Sequence, residues 1–232
     1  MSKIILVIAF IFIFIITISA QTFKIKDYYQ LADGNEWRYT APPNWKDGDY
    51  VSNMKAGEMW KLNGKDITTI KHFDATKAAK VLTFVKGEGL YYLREEFANN
   101  DGYAEFDKPL LWFSEKFKLG NKTEIDTGFT RHFKDGKTSR GTYKLTQHIV
   151  RLEDMTVSAG TFKNALRIES ESYWNLGDGR EAKTINVYHY VKNVGVIKAS
   201  ARFIILKDGK ETINRLVETD LKSYKISSES RF

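Results

Sequence analysis

Seven Asx-Gly dipeptides constrain this chain more than any other feature. They stand at Asp33-Gly34, Asp47-Gly48, Asn63-Gly64, Asp101-Gly102, Asp135-Gly136, Asp178-Gly179 and Asp208-Gly209. Such pairs supply the positive φ that tight hairpin turns demand. The cassette Lys-Asp-Gly-Lys occurs twice, at 134–137 and 207–210, which is repeated hairpin grammar and not a duplicated domain. Between the turns the residues alternate. Leu166, Ile168, Ser170, Ser172 and Trp174 fall on one face of an extended chain, with Arg167, Glu169, Glu171 and Tyr173 on the other. Likewise Ile185, Val187 and Val191 oppose Thr184, Asn186, Tyr188 and Tyr190. A period of two is the mark of half-buried antiparallel strands. Further strands are expected at Trp37–Thr40, Thr68–Phe73, Ala79–Lys86, Leu90–Phe97, Phe129–Phe133, Tyr143–Leu152, Val196–Leu206 and Ile213–Lys222. Helical spacing is scarce, and one short helical turn is expected within Pro109–Lys118. The pattern predicts an all-β, mainly antiparallel fold: a large curved sheet, half-barrel or barrel, with little helix.

The N-terminus reads as a signal peptide. One basic residue, Lys3, precedes an apolar run from Ile4 to Ala20, and the small Ala20 suits a cleavage site. The run is 17 residues (20 − 3), at the short edge of what spans a bilayer, ~17–25; an uncleaved anchor is the alternative. Cleavage after Ala20 leaves residues 21–232 as a single β domain, packed roughly from Asp27 to Ile226, with no stable membrane span. The expected destination is secreted or periplasmic. With no cysteine in the chain, a disulfide scaffold, a zinc ribbon, an iron–sulfur cluster, a thiol nucleophile and a lipid anchor at the junction are all excluded. Lys+Arg 36 against Asp+Glu 29 gives +7, yet no two basic residues are adjacent. Nucleic-acid binders concentrate such charge in a patch, so no nucleic-acid partner is expected.

Catalytic signatures are missing. There is no Gly-x-Ser-x-Gly, no His-Glu-x-x-His and no phosphate loop. The segment Gly177-Asp178-Gly179-Arg180-Glu181-Ala182 fits the loose dinucleotide fingerprint, but a strand follows it where the fingerprint needs a helix. The four histidines, His72, His132, His148 and His189, are widely spaced. Glu169 and Glu171 are the best carboxylate pair for glycosidase chemistry, and Arg167 on the same face points instead to a charge-balanced surface. No catalytic residue, metal or cofactor is expected. Asn121-Lys122-Thr123 is a glycosylation acceptor in a eukaryotic host.

Three segments carry a resemblance. Val157-Ser158-Ala159-Gly160-Thr161-Phe162, with Ala165 and Ile168, resembles the VPAGTF-x-x-A-x-x-I element of a secreted bacterial protein family of unknown function. Tyr188-His189-Tyr190-Val191-Lys192-Asn193-Val194-Gly195-Val196-Ile197-Lys198 is similar to that family's WYAKGVGLVK element. The opening Tyr29 to Tyr39 resembles its Y-x-P-L-x-x-G-x-x-W-x-Y start. This chain has Ser158 for the family's Pro, His189 for its Trp, and lacks the lipidated cysteine of many members. The resemblance implies an exported protein with a half-barrel like the periplasmic lipoprotein carriers, and it transfers no catalytic residue.

These readings lead to an exported, non-enzymatic envelope or extracellular β-domain, whose concave sheet suits an apolar or lipid-like ligand. Trp112, Trp174, Tyr188 and Tyr190 are the candidate ligand-binding aromatics. Gly160 and Gly195 are candidate structural residues: Gly160 for a tight turn, Gly195 for a bulge or kink within one bent strand running from Tyr188 to Leu206. A structural or adaptor protein acting through protein–protein contacts is the alternative, and a glycan hydrolase a third. An enclosed apolar cavity of ~300 Å³ or more would separate the first two.

Overall fold

The computed structural model describes residues 21–29, 35–40, 50–62, 65–74, 80–86, 89–96 and 101–226, with backbone alone over 50–86. The signal segment and the turn pairs at 33–34, 47–48 and 63–64 lie outside the described residues.

Alternation and turn chemistry produce a protein built almost wholly of strand. In chain order they are β1 (Thr22–Lys24), β2 (Glu36–Tyr39), β3 (Tyr50–Leu62), β4 (Lys65–Asp74), β5 (Lys80–Lys86), β6 (Gly89–Glu96), β7 (Gly102–Ser114) and β8 (Lys116–Lys118). Then come β9 (Lys122–Phe133), β10 (Thr138–Val157), β11 (Gly160–Asn175), β12 (Arg180–Val191), β13 (Gly195–Lys207) and β14 (Lys210–Lys225). The helix among the described residues is α1 (Ile25–Tyr28), a single turn. Every strand pairing among the described residues is antiparallel, and the order β10-β11-β12-β13-β14-β2-β3-β4-β5-β6-β7-β9 is circular, because β9 also pairs with β10. The ring is uneven. From β9 to β14 the ladders are long, as the turns at Asp135-Gly136, Asp178-Gly179 and Asp208-Gly209, with those at 158–159 and 192–194, fold each strand back on its neighbour. At Asp208-Gly209 both residues have positive φ, 51° and 73°, the geometry of a type I′ hairpin. The β2–β3 and β4–β5 seams are short by comparison.

Cross-strand partners share a face, so the register identifies what points inward. The rung Tyr143–Trp174–Ala182–Ile205–Ile213 crosses five strands, as does Leu145–Ser172–Thr184–Phe203–Arg215; Gln147–Ser170–Asn186–Ala201–Val217 is a third. Three apolar clusters complete the packing. One plugs an end of the ring: β1 pairs with β8, and with α1 they seat Phe23, Ile25 and Tyr28 against Leu166, Ile168 and Tyr190. A second lies within the wall around Phe106, Phe129 and Tyr143. The third gathers Trp37, Val157, Val191 and Leu221, where the β10–β11 tip curls over to β14 and the Ala159 amide donates to the Leu221 carbonyl at 2.8 Å. Register shifts after Ile149 and Glu153 give β10 the bend this requires.

Three expectations need correcting. The helical turn at Pro109–Lys118 is absent: that stretch is the end of β7, a bend, and β8. Pro109 is accommodated because residues 106–109 lie between the two runs of β6–β7 pairing, where no ladder N–H is needed. Packing also begins before Asp27, since Phe23 and Ile25 are buried. And Gly195 does not kink one bent strand. β12 and β13 are a hairpin, Val191 facing Gly195 across a turn at 192–194, with Asn193 at φ 61° and Gly195 at φ 100°. Asn tolerates the left-handed region well, which relieves Val194 of it. The β-bulge falls two residues later, at Ile197, between the pairs Tyr190–Val196 and His189–Lys198.

Candidate functional site

The inner rungs of β10–β13, the bulged strand β6 and the C-terminal end of β7 line a cavity of about 230 Å³. All four candidate aromatics line it: Trp112 from β7, Trp174 from β11, and Tyr188 and Tyr190 from β12. The inward parity of β11 and β12 places the last three, and β7 contributes Trp112 beside Tyr92, ring centroids 5.5 Å apart. Tyr143 and Trp174, an opposed pair, stand 4.4 Å centroid to centroid, and Tyr188 and Tyr190 are 6.1 Å apart.

The cavity is smaller than the ~300 Å³ at which drug-sized pockets begin, and its wall is not purely apolar. Gln147, Ser170, Ser172, Thr184 and Asn186 form a polar stripe across three neighbouring strands, where the Asn186 amide donates to the Ser170 hydroxyl at 3.3 Å. Opposite lies Glu95, the one carboxylate among the described lining residues, which include no Lys, Arg or His. The Tyr92 hydroxyl donates to its carboxylate at 2.7 Å, and no ion pair to Glu95 is formed among the described residues. Burial pushes the Glu95 carboxyl above its ordinary value, and the Tyr92 hydrogen bond offsets this only in part. Burial likewise raises the Tyr143 phenol, with the nearby Glu95 charge adding to it.

Sequence reasoning missed Glu95, because strict alternation cannot place Tyr92 and Glu95, three apart, on one face. Leu93 is skipped by the ladders on both sides of β6. This bulge shifts the parity, leaving Arg94 and Glu96 on the opposite side in an ion pair at 3.1 Å. Asn186 and Thr184 were legible as facing with Tyr188, but only the register shows that they meet Ser170 and Ser172.

One side of the cavity reaches solvent. Phe203 lines it, yet is 42% exposed, and Ile213, on the adjoining inner rung, is 46% exposed. The inner face is therefore uncovered towards the β13–β14 turn, which gives the cavity a mouth.

The other singled-out residues lie elsewhere. Glu169 and Glu171 are on the outer face, in ion pairs with Arg167 and Lys183 at 2.7 Å each, so neither points into the cavity. His132 stacks on Tyr103. His148 borders an outer groove with Glu169 and Glu171. His189 is buried and bonds Glu153 through Nε2 at 2.7 Å; the side chain of His72 is not among those described. Among the described residues no three His, Asp or Glu gather as a metal cage, and no helix is long and apolar enough to cross a membrane. Gly160 pairs with Val157 at the base of the β10–β11 hairpin turn, at φ 131°.

Comparison with known proteins gives two solved structures of similar outline. One is a protein assigned as exported, with a YMCC-like fold, from Bacteroides fragilis: 12% identity, TM-score 0.48, covering 85% of this chain and 98% of that one. The other is assigned as a lipoprotein, from Parabacteroides distasonis: 12% identity, TM-score 0.42, covering 85% and 97%. No family model matches the chain, and no curated protein does.

Proposed function

We propose that this protein is an exported, non-enzymatic β-domain that holds a small lipid-like ligand inside its ring. The observation that carries this reading is the aromatic cavity itself, with a polar stripe and an open side. An amphiphile would lay its apolar part against Trp112, Trp174, Tyr188 and Tyr190 and its polar part against Gln147, Ser170 and Asn186. Aromatic faces with a few convergent polar groups are the general composition of ligand pockets. The N-terminal leader of the sequence supports export, with the mature chain starting at Gln21. The test is mass spectrometry of the protein isolated from its own host, under native and then denaturing conditions. The expected result is a stoichiometric small molecule released on unfolding, and an N-terminus reading Gln-Thr-Phe-Lys. Protein free of ligand from every host fraction overturns the binding reading, and an intact Met1 overturns the cleavage.

A second reading rests on a different observation. On the outer face Ile185, Arg202 and Leu216 stand in register, with Leu216 59% exposed. This patch is the surface an adaptor would use, and co-purification of a protein partner lost on Leu216→Lys would favour that role.

A further inference from the structure

Among the described residues, the cavity contains a carboxylate that no basic side chain in its lining balances. Glu95 stands with eight aromatic side chains and no Lys, Arg or His among the described lining residues, and its hydrogen-bond partner among them is the neutral Tyr92 hydroxyl. A carboxylate withdrawn from water without a counter-charge is costly, and chains keep such groups where a partner completes them. The bulge at Leu93 is what turns Glu95 inward; without it, the polar side of β6 would stay outside together with Arg94 and Glu96.

We infer that the ligand carries a small organic cation, an alkylammonium group that sits between the Glu95 carboxylate and the faces of Tyr92, Trp112, Tyr143 and Trp174. Aromatic faces attract such cations through the ring quadrupole, and quaternary ammonium recognition is the established use of that arrangement. Size agrees: about 230 Å³ is too small for a long acyl chain and suits a head group. The polar stripe across the cavity then serves the remaining polar atoms of the ligand, such as a hydroxyl. The inference deepens the ligand-binding reading above and rests on it.

Calorimetric titration with choline and with its uncharged isostere, 3,3-dimethylbutan-1-ol, tests it on the purified protein. Choline should bind at least about tenfold more tightly than the isostere. In Glu95→Gln, an isosteric change, that preference should vanish while isostere affinity stays the same. An isostere that binds as well as choline overturns the inference and leaves the ligand-binding reading standing; so does a Glu95→Gln protein that keeps the preference. If neither compound binds, both readings fall. Should Glu95→Gln not fold, the choline-to-isostere ratio on the unaltered protein decides alone. Dihexanoylphosphatidylcholine and dihexanoylphosphatidylglycerol distinguish the source. Tighter binding of the choline lipid than of free choline, with the glycerol lipid rejected, identifies a lipid head group; free choline as good or better identifies a soluble amine.

Discussion

Trp37→Phe should destabilise the protein by an amount the structure allows to be worked out. Trp37 is 2% exposed, and its indole N–H donates to the Val194 carbonyl at 2.7 Å, a buried bond across 157 residues of sequence. Phenylalanine removes the donor and strands a buried carbonyl, at about 1–3 kcal/mol. The smaller ring also leaves a void, adding ~1 kcal/mol if the site relaxes in part. The sum is about 2–4 kcal/mol, or a fall of about 4–16 °C in Tm for a chain of this size. Tyr39→Phe is the companion change, because the Tyr39 hydroxyl donates to the next inner carbonyl, Val196, at 2.9 Å. It deletes one bond and no volume, at about 0.5–1.5 kcal/mol. Urea unfolding followed by far-ultraviolet circular dichroism measures both without relying on the fluorescence of the residue removed. Were Trp37→Phe no more destabilising than Tyr39→Phe, the assignment of Trp37 as the anchor of the 192–194 turn would be wrong.

Gly195→Ala should cost about 1–3 kcal/mol from its backbone conformation alone, since an added Cβ would meet Trp37 only at an ordinary 3.4 Å; an unchanged unfolding midpoint would refute it. His189 titrates below its ordinary value, mainly through burial, against the pull of Glu153 and with Arg167 and Lys198 also disfavouring its charge. The unfolded chain therefore binds the proton more readily, so stability should fall as pH drops below about 6.5, and His189→Gln should flatten that slope in urea titrations at stepped pH. Asp178→Asn should cost about 1–3 kcal/mol, measured the same way, because Arg131, with its guanidinium buried, bonds Asp178 at 2.8 Å and loses its counter-charge.

How much was legible depended on whether local rules governed the segment. The strands of β10 to β12 and of β13 and β14 follow from alternation, and the Asp-Gly turns mark two of the hairpins, because each strand pairs with its sequence neighbour and local chemistry fixes the register. β3 and β7 were not foreseen. β3 carries Gly57 inside a poorly alternating run, and β7 carries Pro109, which reads as a breaker until the ladder is seen to skip it. The aromatic wall was readable from parity on β11 and β12, whereas Glu95 was hidden by a one-residue bulge that reverses parity without leaving a composition signal. The 192–194 turn was misjudged for a related reason. Gly195 reads as a bulge within one strand from Tyr188 to Leu206, but the positive φ values fall on Asn193 and Gly195, with Val194 between them, and close a hairpin.

The pairing of β2 with β14 sets the order in which the molecule can assemble. The long ladders from β9 to β14 are nearest-neighbour hairpins, which form early because little loop entropy opposes them. The contacts that complete the circle join opposite ends of the chain: Thr40 donates its amide to the Asp220 carbonyl at 2.9 Å, 180 residues away, and Trp37 waits for Val194. Closure is therefore the late, slow event, and until β14 is available β2 has an unpaired edge. A chain emerging N-terminus first, from a ribosome or a translocation channel, would hold its first ring strand open until β14 had arrived. The exposed edge of β2 is thus the point at which a nascent chain needs protection from pairing with other chains.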